Sequence, residues 1–255
     1  LTLDYGFVQF AGFTFGKAVG TFQTPWGAYG ANNNTSYFVG GYDNATGITQ
    51  IAYTWQFGNG ISAQVAVEDS RTLDRGTLIN ASTAAASGIT TATMLGSNYT
   101  NSYGGNAAPD FAGNIRIDQA AFTLQFSGAV HQNHALYYGA SETTGHPDDK
   151  FGGAASVGLQ LKNLPTGPGD KLSLDATWSK GAVKYLLGGV MGTATAQGMN
   201  YTNFGGASFG GSYQSLATVF AADSVYGLNG QLELTTAWGF RGAYVHNWTP
   251  NWESS

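Results

Sequence analysis

Residues 118–134 contain histidine, serine and aspartate side chains of the kinds that bind metal ions or catalyse hydrolysis. His131 and His134 are the closest pair of histidines, and paired imidazoles are common zinc ligands. The two positions are three apart, so on a β-strand their side chains point to opposite faces and cannot share a metal ion. Ser127 and Asp118 could be combined with His131 into a hydrolytic triad, but a triad is defined by geometry and no spacing here supports one. We therefore expect no enzyme activity, no metal site and no cofactor.

A strict alternation of apolar and polar residues is the dominant pattern of the sequence. Successive side chains of a strand point to opposite faces, so each alternating segment has one apolar and one polar face. A soluble sheet packs the apolar face on a protein core. A membrane barrel turns that face to lipid and turns the polar face to a water-filled lumen. The alternating segments are residues 50–57, 61–68, 115–118, 123–131, 157–162, 171–179 and 232–248.

The composition narrows the class of protein. Charged residues make up 10% of the chain, against about 25% in ordinary globular domains. The net charge of −5 argues against a nucleic-acid partner, since nucleic acids bind basic surfaces. The absence of cysteine excludes disulfides and thiolate metal sites. No apolar run approaches the ~18 residues of a membrane helix, so a chain of this kind would have to cross a membrane as a closed barrel.

Short and long connections alternate between the predicted strands. Connections longer than about 15 residues are uncommon in compact soluble domains, whereas membrane barrels have short turns at one rim and long loops at the other. The long connections are residues 20–47, 70–113, 133–150 and 181–229. The pattern predicts about nine strands. They lie near residues 3–11, 13–19, 50–57, 61–69, 114–120, 122–132, 152–163, 171–180 and 231–248.

The predicted strand count bears on the two ends of the chain. Bacterial single-chain barrels have an even number of strands, and no strand is predicted after the turn signal Thr249-Pro250-Asn251. We therefore expect residues 1–255 to form a single β-barrel domain that is incomplete at both ends. The alternative is a complete, soluble β-sandwich.

Several stretches resemble the general outer-membrane porins, and more specifically the alphaproteobacterial family. The segment YGFVQFAGFTFGKAV (residues 5–19) resembles the strand pair that precedes the constriction loop in general bacterial porins. Further stretches that resemble the family are IAYTWQFGNGISA (51–63), NIRIDQA (114–120), HPDDK (146–150), and LTTAW (234–238) together with WTP (248–250). The resemblance implies an all-β, antiparallel, up-and-down transmembrane barrel of sixteen strands, of which this chain covers the central ones.

The resemblance also implies a location and partners. It places the protein in the outer membrane of a Gram-negative bacterium, in contact with outer-membrane lipid and lipopolysaccharide. It implies a homotrimer that passes small polar solutes and ions. In porins the third long loop folds into the barrel and narrows it, and by resemblance this constriction loop is residues 20–47.

The candidate constriction loop departs from the family pattern, because Asp43 is its only acidic residue. We expect an opening lined by aromatic and amide groups, with modest ion selectivity. The aromatic residues assigned to the loop are Trp26, Tyr29, Tyr37, Phe38 and Tyr42.

The pore-lining charges are predicted partly from strand parity, that is, from which of the two alternating faces of a strand a residue occupies, and partly from the resemblance. Lys17 stands where the family has a basic residue, and Asp43 belongs to the loop. The alternative is that each charge is a solvated wall residue without a role, since charge selectivity arises from rings of residues. Parity places the following charges on the lumen face: Glu68, Arg116, Asp118, Lys162, Asp175, Glu233 and Arg241.

Three functions are compatible with these patterns. The first is a porin, a passive diffusion channel without covalent chemistry. The second is a soluble or surface-attached adhesin or glycan-binding module that uses Tyr, Trp and Asn residues in its loops. The third is a barrel enzyme with a histidine in contact with a serine or aspartate. The orientations of Trp55, Phe126, Trp178 and Trp238 separate the first two, because a barrel turns these side chains outward and a sandwich packs them in a core.

Overall fold

The protein is described from a computed structural model. The structure describes residues 3–26, 47–70, 78–80, 102–105, 107–138, 142–186, 200–203, 217–220, 222–226 and 230–255. Two short 3-10 turns, Glu142–Thr144 and Val183–Tyr185, interrupt an otherwise all-β structure in these ranges. None of the helical segments described is long and apolar enough to cross a membrane.

The described strands, in chain order, are β1 (Gly6–Phe10), β2 (Phe13–Ala18), β3 (Ile48–Gly58), β4 (Ile61–Glu68), β5 (Leu78–Asn80), β6 (Asp110–Asp118), β7 (Phe122–Asn133), β8 (Lys150–Lys162), β9 (Lys171–Lys180), β10 (Asn200–Asn203), β11 (Ala217–Phe220), β12 (Ser224–Tyr226), β13 (Leu232–Leu234), β14 (Thr236–Thr249) and β15 (Trp252–Ser254).

Ten strands form one large antiparallel sheet in the order β1-β2-β3-β4-β6-β7-β8-β9-β14-β15. The order in the sheet follows the order in the chain, which is the up-and-down topology that the family resemblance implied. The short turns all lie at one end of the sheet and the long connections at the other. Among the described residues the sheet is open between β1 and β15. The remaining strands form a two-stranded sheet, β10-β11, and a three-stranded sheet, β13-β12-β5.

The nine predicted strands are confirmed, but the segments 70–113 and 181–229, which were predicted as loops, also contain the short strands β5, β10, β11 and β12. Two further differences concern the last predicted strand and the turn that follows it. The predicted strand 231–248 is divided at Thr235, whose N–H donates to the Asp223 carbonyl oxygen at 2.9 Å and whose carbonyl accepts the Gly181 N–H at 2.8 Å. These hydrogen bonds to loop residues replace sheet bonds, so β13 leaves the large sheet and pairs with β12. The expectation that no strand follows the turn at Thr249 is wrong, because β15 pairs with β14 there.

The two faces of the large sheet are the reverse of those of a soluble sheet. Polar side chains on one face are buried, and large apolar side chains on the other are exposed. The four diagnostic side chains are on the exposed face: Trp55 (42% exposed), Phe126 (51%), Trp178 (47%) and Trp238 (73%). They do not converge on a core, as the sandwich alternative requires. We call the polar face the inner face and the apolar face the outer face.

The hairpin between β3 and β4 shows why its turn contains glycine. Gly58, Asn59 and Gly60 all have positive φ angles, of 84°, 51° and 75°, which glycine adopts freely and asparagine tolerates. The Gly60 carbonyl also accepts the Asp118 N–H at 2.8 Å. A side chain at position 60 would collide with the Asp118 carbonyl, so glycine allows β6 to pair closely with this turn.

Placing a charge on the outer face is expected to destabilise the protein in a membrane. Phe126 lies opposite Ile115 and Val157 in the sheet. The substitution Phe126→Arg should cost about 2–4 kcal/mol if this face contacts the lipid interior. The measurement is urea unfolding of the full-length protein in lipid vesicles. The control is Gln64→Arg, which places the same charge on the inner face. Equal costs for the two variants would contradict a lipid-facing outer face.

Candidate functional site

A short segment after β2 lies across the inner face, and we call residues 19–26 the inner segment. Its first anchor is Thr21, whose N–H donates to Glu68 Oε1 at 2.7 Å. The Thr21 hydroxyl donates to Gln50 Oε1 at 3.1 Å, and the Thr21 carbonyl accepts a hydrogen bond of 2.6 Å from Asn114 Nδ2. These partners belong to β3, β4 and β6, so Thr21 is held to three neighbouring strands.

The far end of the inner segment reaches β7 and β9. Gln125 Nε2 on β7 donates to the Gln23 carbonyl at 2.9 Å. The indole Nε1 of Trp26 donates to Asp175 Oδ1 on β9 at 3.1 Å. The segment therefore crosses the inner face from β3 to β9. Its hydrogen-bond partners on these strands are all polar side chains of the inner face. A polypeptide held in this way narrows whatever space the inner face encloses.

A row of alanines makes room for side chains on the inner face. The members are paired in register across five strands and are all buried. They are Ala52, Ala66, Ala112, Ala129 and Ala154. Phe22 of the inner segment packs over this region with Tyr185, at 4.7 Å between ring centroids. Strand parity did not predict this packing, although small residues at inner positions of neighbouring strands were a visible signal.

Gly158 provides the corresponding space beneath Trp26. A Cβ atom at this position would lie 2.5 Å from Thr24 Cγ2 and 2.8 Å from Trp26 Cζ2. Both distances are far below van der Waals contact. The absence of a side chain at residue 158 therefore lets the inner segment lie directly on β8.

Adding a methyl group at this glycine is expected to displace the inner segment. Gly158→Ala should cost about 1–3 kcal/mol, the usual range for overpacking a filled site, and should weaken the bond from Trp26 to Asp175. Urea unfolding would report the first effect. The part of the tryptophan fluorescence that is lost in Trp26→Phe would report the second, because the chain contains six tryptophans. Gly128→Ala is the control, because its new Cβ would have only the Ala154 carbonyl oxygen nearby, at 3.9 Å. Equal effects of the two variants would contradict close packing over Gly158.

A row of charged and polar residues crosses the inner face beside Trp26. Arg116, Gln125, Gly158, Asp175 and Arg241 are in register on adjacent strands. Arg241 Nε donates to Asp175 Oδ2 at 2.8 Å, and both side chains are buried. Arg116 Nε donates to Gln125 Oε1 at 3.0 Å and its side chain is half-buried. Asp175 thus accepts hydrogen bonds from both the wall and the inner segment.

A group of buried ionisable side chains lies nearer the long loops, and we call it the buried ionic cluster. Asp110 is its centre, with Oδ1 at 2.7 Å from His131 Nδ1. Asp110 Oδ2 accepts hydrogen bonds from the Tyr185 hydroxyl, at 2.7 Å, and from Lys184 Nζ. The cluster consists of Glu68, Asp110, His131, Lys184 and Asp223, each at most 3% exposed. Within the described ranges, no set of three such side chains is arranged to hold a metal ion.

Asp223 connects a loop to the buried ionic cluster. Its Oδ1 accepts the Val183 N–H, and its Oδ2 lies 3.8 Å from His131 Nε2 without a hydrogen-bond partner among the described residues. Burial raises the pKa of Asp223, and the charges of His131 and Lys184 only partly oppose this effect. Asp110 adds to the rise by like-charge repulsion.

The raised pKa of Asp223 predicts a stability that depends on pH. The folded protein holds the Asp223 proton more tightly than the unfolded chain does. This contribution to stability is therefore present below about pH 4 and is lost as the pH rises through the folded pKa. Asp223→Asn should remove that part of the dependence. Urea unfolding of both proteins from acid to neutral pH measures it, and parallel pH profiles would contradict the assignment.

The full length of the sequence matches a known family profile. The profile described as porin subfamily matches residues 1–255. The chain belongs to the porin subfamily. No curated protein matches the sequence.

A solved structure of an outer membrane channel has a similar fold. The outer membrane channel DcaP of Acinetobacter baumannii is similar to this porin with a TM-score of 0.56 and 15% sequence identity. The match covers 97% of this chain and 52% of DcaP, so the chain spans about half the length of that channel. At this identity the likeness shows the fold alone.

The structure brings several of the predicted pore-lining residues of this porin onto the inner face. Arg116, Asp175 and Arg241 share the row beside Trp26, and Glu68 lies beneath the inner segment. At the short-turn end, Asp118 Oδ1 pairs with Lys162 Nζ at 2.5 Å and accepts a hydrogen bond of 2.8 Å from the Thr123 hydroxyl.

Two predicted pore-lining charges are placed elsewhere. Lys17 shares the outer face of β2 with Phe13 and Phe15, and its Nζ donates to the Leu3 carbonyl at 2.7 Å. Glu233 is exposed on β13, because the division at Thr235 removes that strand from the large sheet. Asp43, Tyr29, Tyr37, Phe38 and Tyr42 lie outside the described residues, as does most of the candidate loop 20–47.

The structure also shows which side chains His131 and His134 contact. His131 contacts Asp110 on the inner face, a contact that the barrel-enzyme alternative requires. The imidazole is only 1% exposed, and Ser127 Oγ instead accepts a hydrogen bond of 2.9 Å from Gln125 Nε2. His134 is separate from His131 and pairs with Asp149 at 2.7 Å.

Proposed function

We propose that this porin is a passive diffusion channel for small hydrophilic solutes and ions across the outer membrane. The observation that carries the proposal is the reversal of the sheet, with exposed aromatic side chains on one face and buried polar networks on the other. An open sheet edge cannot contact lipid, so the ten-stranded sheet would be part of a closed barrel. Its inner face would then line the aqueous lumen.

We propose that the inner segment begins the constriction of this channel. It is anchored to β3, β4, β6, β7 and β9 by hydrogen bonds from or to wall residues, and such anchoring keeps a loop inside a lumen. The wider assignment of residues 20–47 to the constriction loop, with Tyr29, Tyr37, Phe38, Tyr42 and Asp43 around the opening, rests on the family resemblance.

We propose the partners and the location on the same basis. The outer face would contact outer-membrane lipid and lipopolysaccharide of a Gram-negative, alphaproteobacterial cell, and three copies would form a homotrimer. Native mass measurement of the full-length protein in detergent tests the assembly. A trimer supports it, and a sole monomer would reject it.

The channel is tested with the full-length protein in planar lipid bilayers. We expect stepwise increases of current whose size scales with the conductivity of the salt solution, because ions cross a water-filled lumen. Vesicle swelling should show entry of small sugars and exclusion of large ones. Folded, membrane-inserted protein that gives neither current nor swelling would overturn the proposal.

A further inference from the structure

Three basic side chains lie on the inner face toward the short-turn end of the sheet. Lys162 on β8 and Lys171 on β9 are directly opposite each other. They share the face of Gln160 and Ser173, whose side chains are joined by a hydrogen bond of 3.0 Å. Arg116 lies on the same face, two strands from Lys162 and in register with Gly158, four positions before Lys162 on β8. We call Arg116, Lys162 and Lys171 the basic patch.

The pairing of Lys162 with Lys171 is unfavourable by itself. Like charges directly opposite each other on antiparallel strands repel. Asp118 neutralises Lys162, to which it is bonded at 2.5 Å. Lys171 is exposed, and no carboxylate of the described residues forms an ion pair with it. An anion at this place would relieve the repulsion.

Arg116 offers further hydrogen-bond donors on the same face. Its Nε is used by Gln125, whereas its two Nη groups have no hydrogen-bond partner in the part of the chain that the structure describes. A guanidinium group presents paired N–H donors that match the oxygens of a carboxylate or phosphate. Arg116 is half-buried, so its charge acts in a medium of lower dielectric constant than bulk water.

The acidic groups near the basic patch leave it with a positive surplus. Asp118 is the one carboxylate within the patch. Asp170, which precedes Lys171, is fully buried and accepts hydrogen bonds from the Thr166 and Tyr244 hydroxyls and the Asn247 N–H. Glu253 lies two strands away, on β15. Asp175 is neutralised by Arg241. Three cations therefore face one accessible carboxylate.

We propose that the basic patch makes this porin favour small anions, such as chloride and carboxylates, over cations. The inference rests on the proposed channel function and adds the charge class of its solutes. The patch attracts anions into the short-turn end of the lumen, which raises their local concentration and lowers that of cations.

The test is the reversal potential of the full-length protein in a planar bilayer that separates two concentrations of potassium chloride. The unmodified channel should favour chloride. The double variant Lys162→Gln/Lys171→Gln should lower the chloride-to-potassium permeability ratio by about twofold or more, because two of the three charges that attract anions are removed. Arg116→Gln should lower the ratio further.

The matched control is Lys180→Gln, which removes one positive charge from the same strand as Lys171 but from the outer face, opposite Thr236. It should leave the ratio unchanged. Potassium preference of the unmodified channel, or an unchanged ratio in the double variant, would overturn the anion preference and leave the channel function standing. A lack of any current would instead overturn the channel function.

Discussion

Arg241→Met is expected to destabilise the folded protein by about 3–5 kcal/mol, the usual cost of removing one partner of a buried ion pair. Arg241 and Asp175 are each about 4% exposed and are joined at 2.8 Å. Without the arginine, the Asp175 carboxylate stays buried with its charge no longer balanced by this partner. Because Asp175 also accepts the Trp26 indole N–H, the loss should loosen the far end of the inner segment.

Urea unfolding of the full-length protein in lipid vesicles measures the loss of stability in Arg241→Met. Single-channel current should become larger or noisier in the same variant. Adding Asp175→Asn should recover most of the lost stability, because asparagine is neutral and still offers Oδ1 to Trp26. Lys162→Met, which breaks the partly exposed pair with Asp118, is the control and should cost about 0–1 kcal/mol, as surface pairs do. If Arg241→Met costs no more than this control, the buried pair does not stabilise the wall.

Asp110→Asn should produce a loss of similar size, about 3–5 kcal/mol, through the buried ionic cluster. The asparagine keeps the shape of Asp110 but removes the charge that balances Lys184. Lys184 is 3% exposed and belongs to the 3-10 turn that packs against the wall through Tyr185. The variant should therefore release this turn from the inner face as well as lower stability.

Two further variants make the cluster prediction specific. Lys184→Met in the Asp110→Asn background should restore part of the stability, because it removes the unbalanced cation. Asp149→Asn breaks the partly exposed pair with His134, which has the same 2.7 Å separation as His131 and Asp110, and should cost about 0–1 kcal/mol. Urea unfolding measures all three. Equal costs for Asp110→Asn and Asp149→Asn would contradict a role for burial.

The strands of the large sheet could be predicted because alternation is a local signal. Each strand shows its two faces in its own residues, and the Gly58–Gly60 turn fixes the β3–β4 hairpin without reference to the rest of the chain. The division at Thr235 could not be predicted, because its cause is hydrogen bonding to Asp223 and Gly181. The short strand β15 was not predicted, because three residues are too few to show an alternation of apolar and polar side chains.

The inner face was only partly predictable. Parity places Arg116, Asp175 and Arg241 on one face, and they do share a row. Strand parity cannot predict which residues lie over that row, because parity is a local pattern and Trp26 and Asp175 are 149 positions apart. The buried ionic cluster was also not predicted, because Lys184 lies in a segment without apolar–polar alternation and reaches Asp110 only in the folded chain. Long-range contacts of this kind become visible only when the strands are assembled.

The proposed channel requires that the inner face lines water and that the outer face contacts lipid. The chain contains no cysteine, so single cysteines can report each face. Gln64 and Val65 are neighbours on β4 and point to opposite faces. With full-length protein in a planar bilayer, a charged, water-soluble thiol reagent should reduce the current through Gln64→Cys and leave Val65→Cys unmodified. Modification of Val65→Cys with protection of Gln64→Cys would show that the two faces have been assigned the wrong way round.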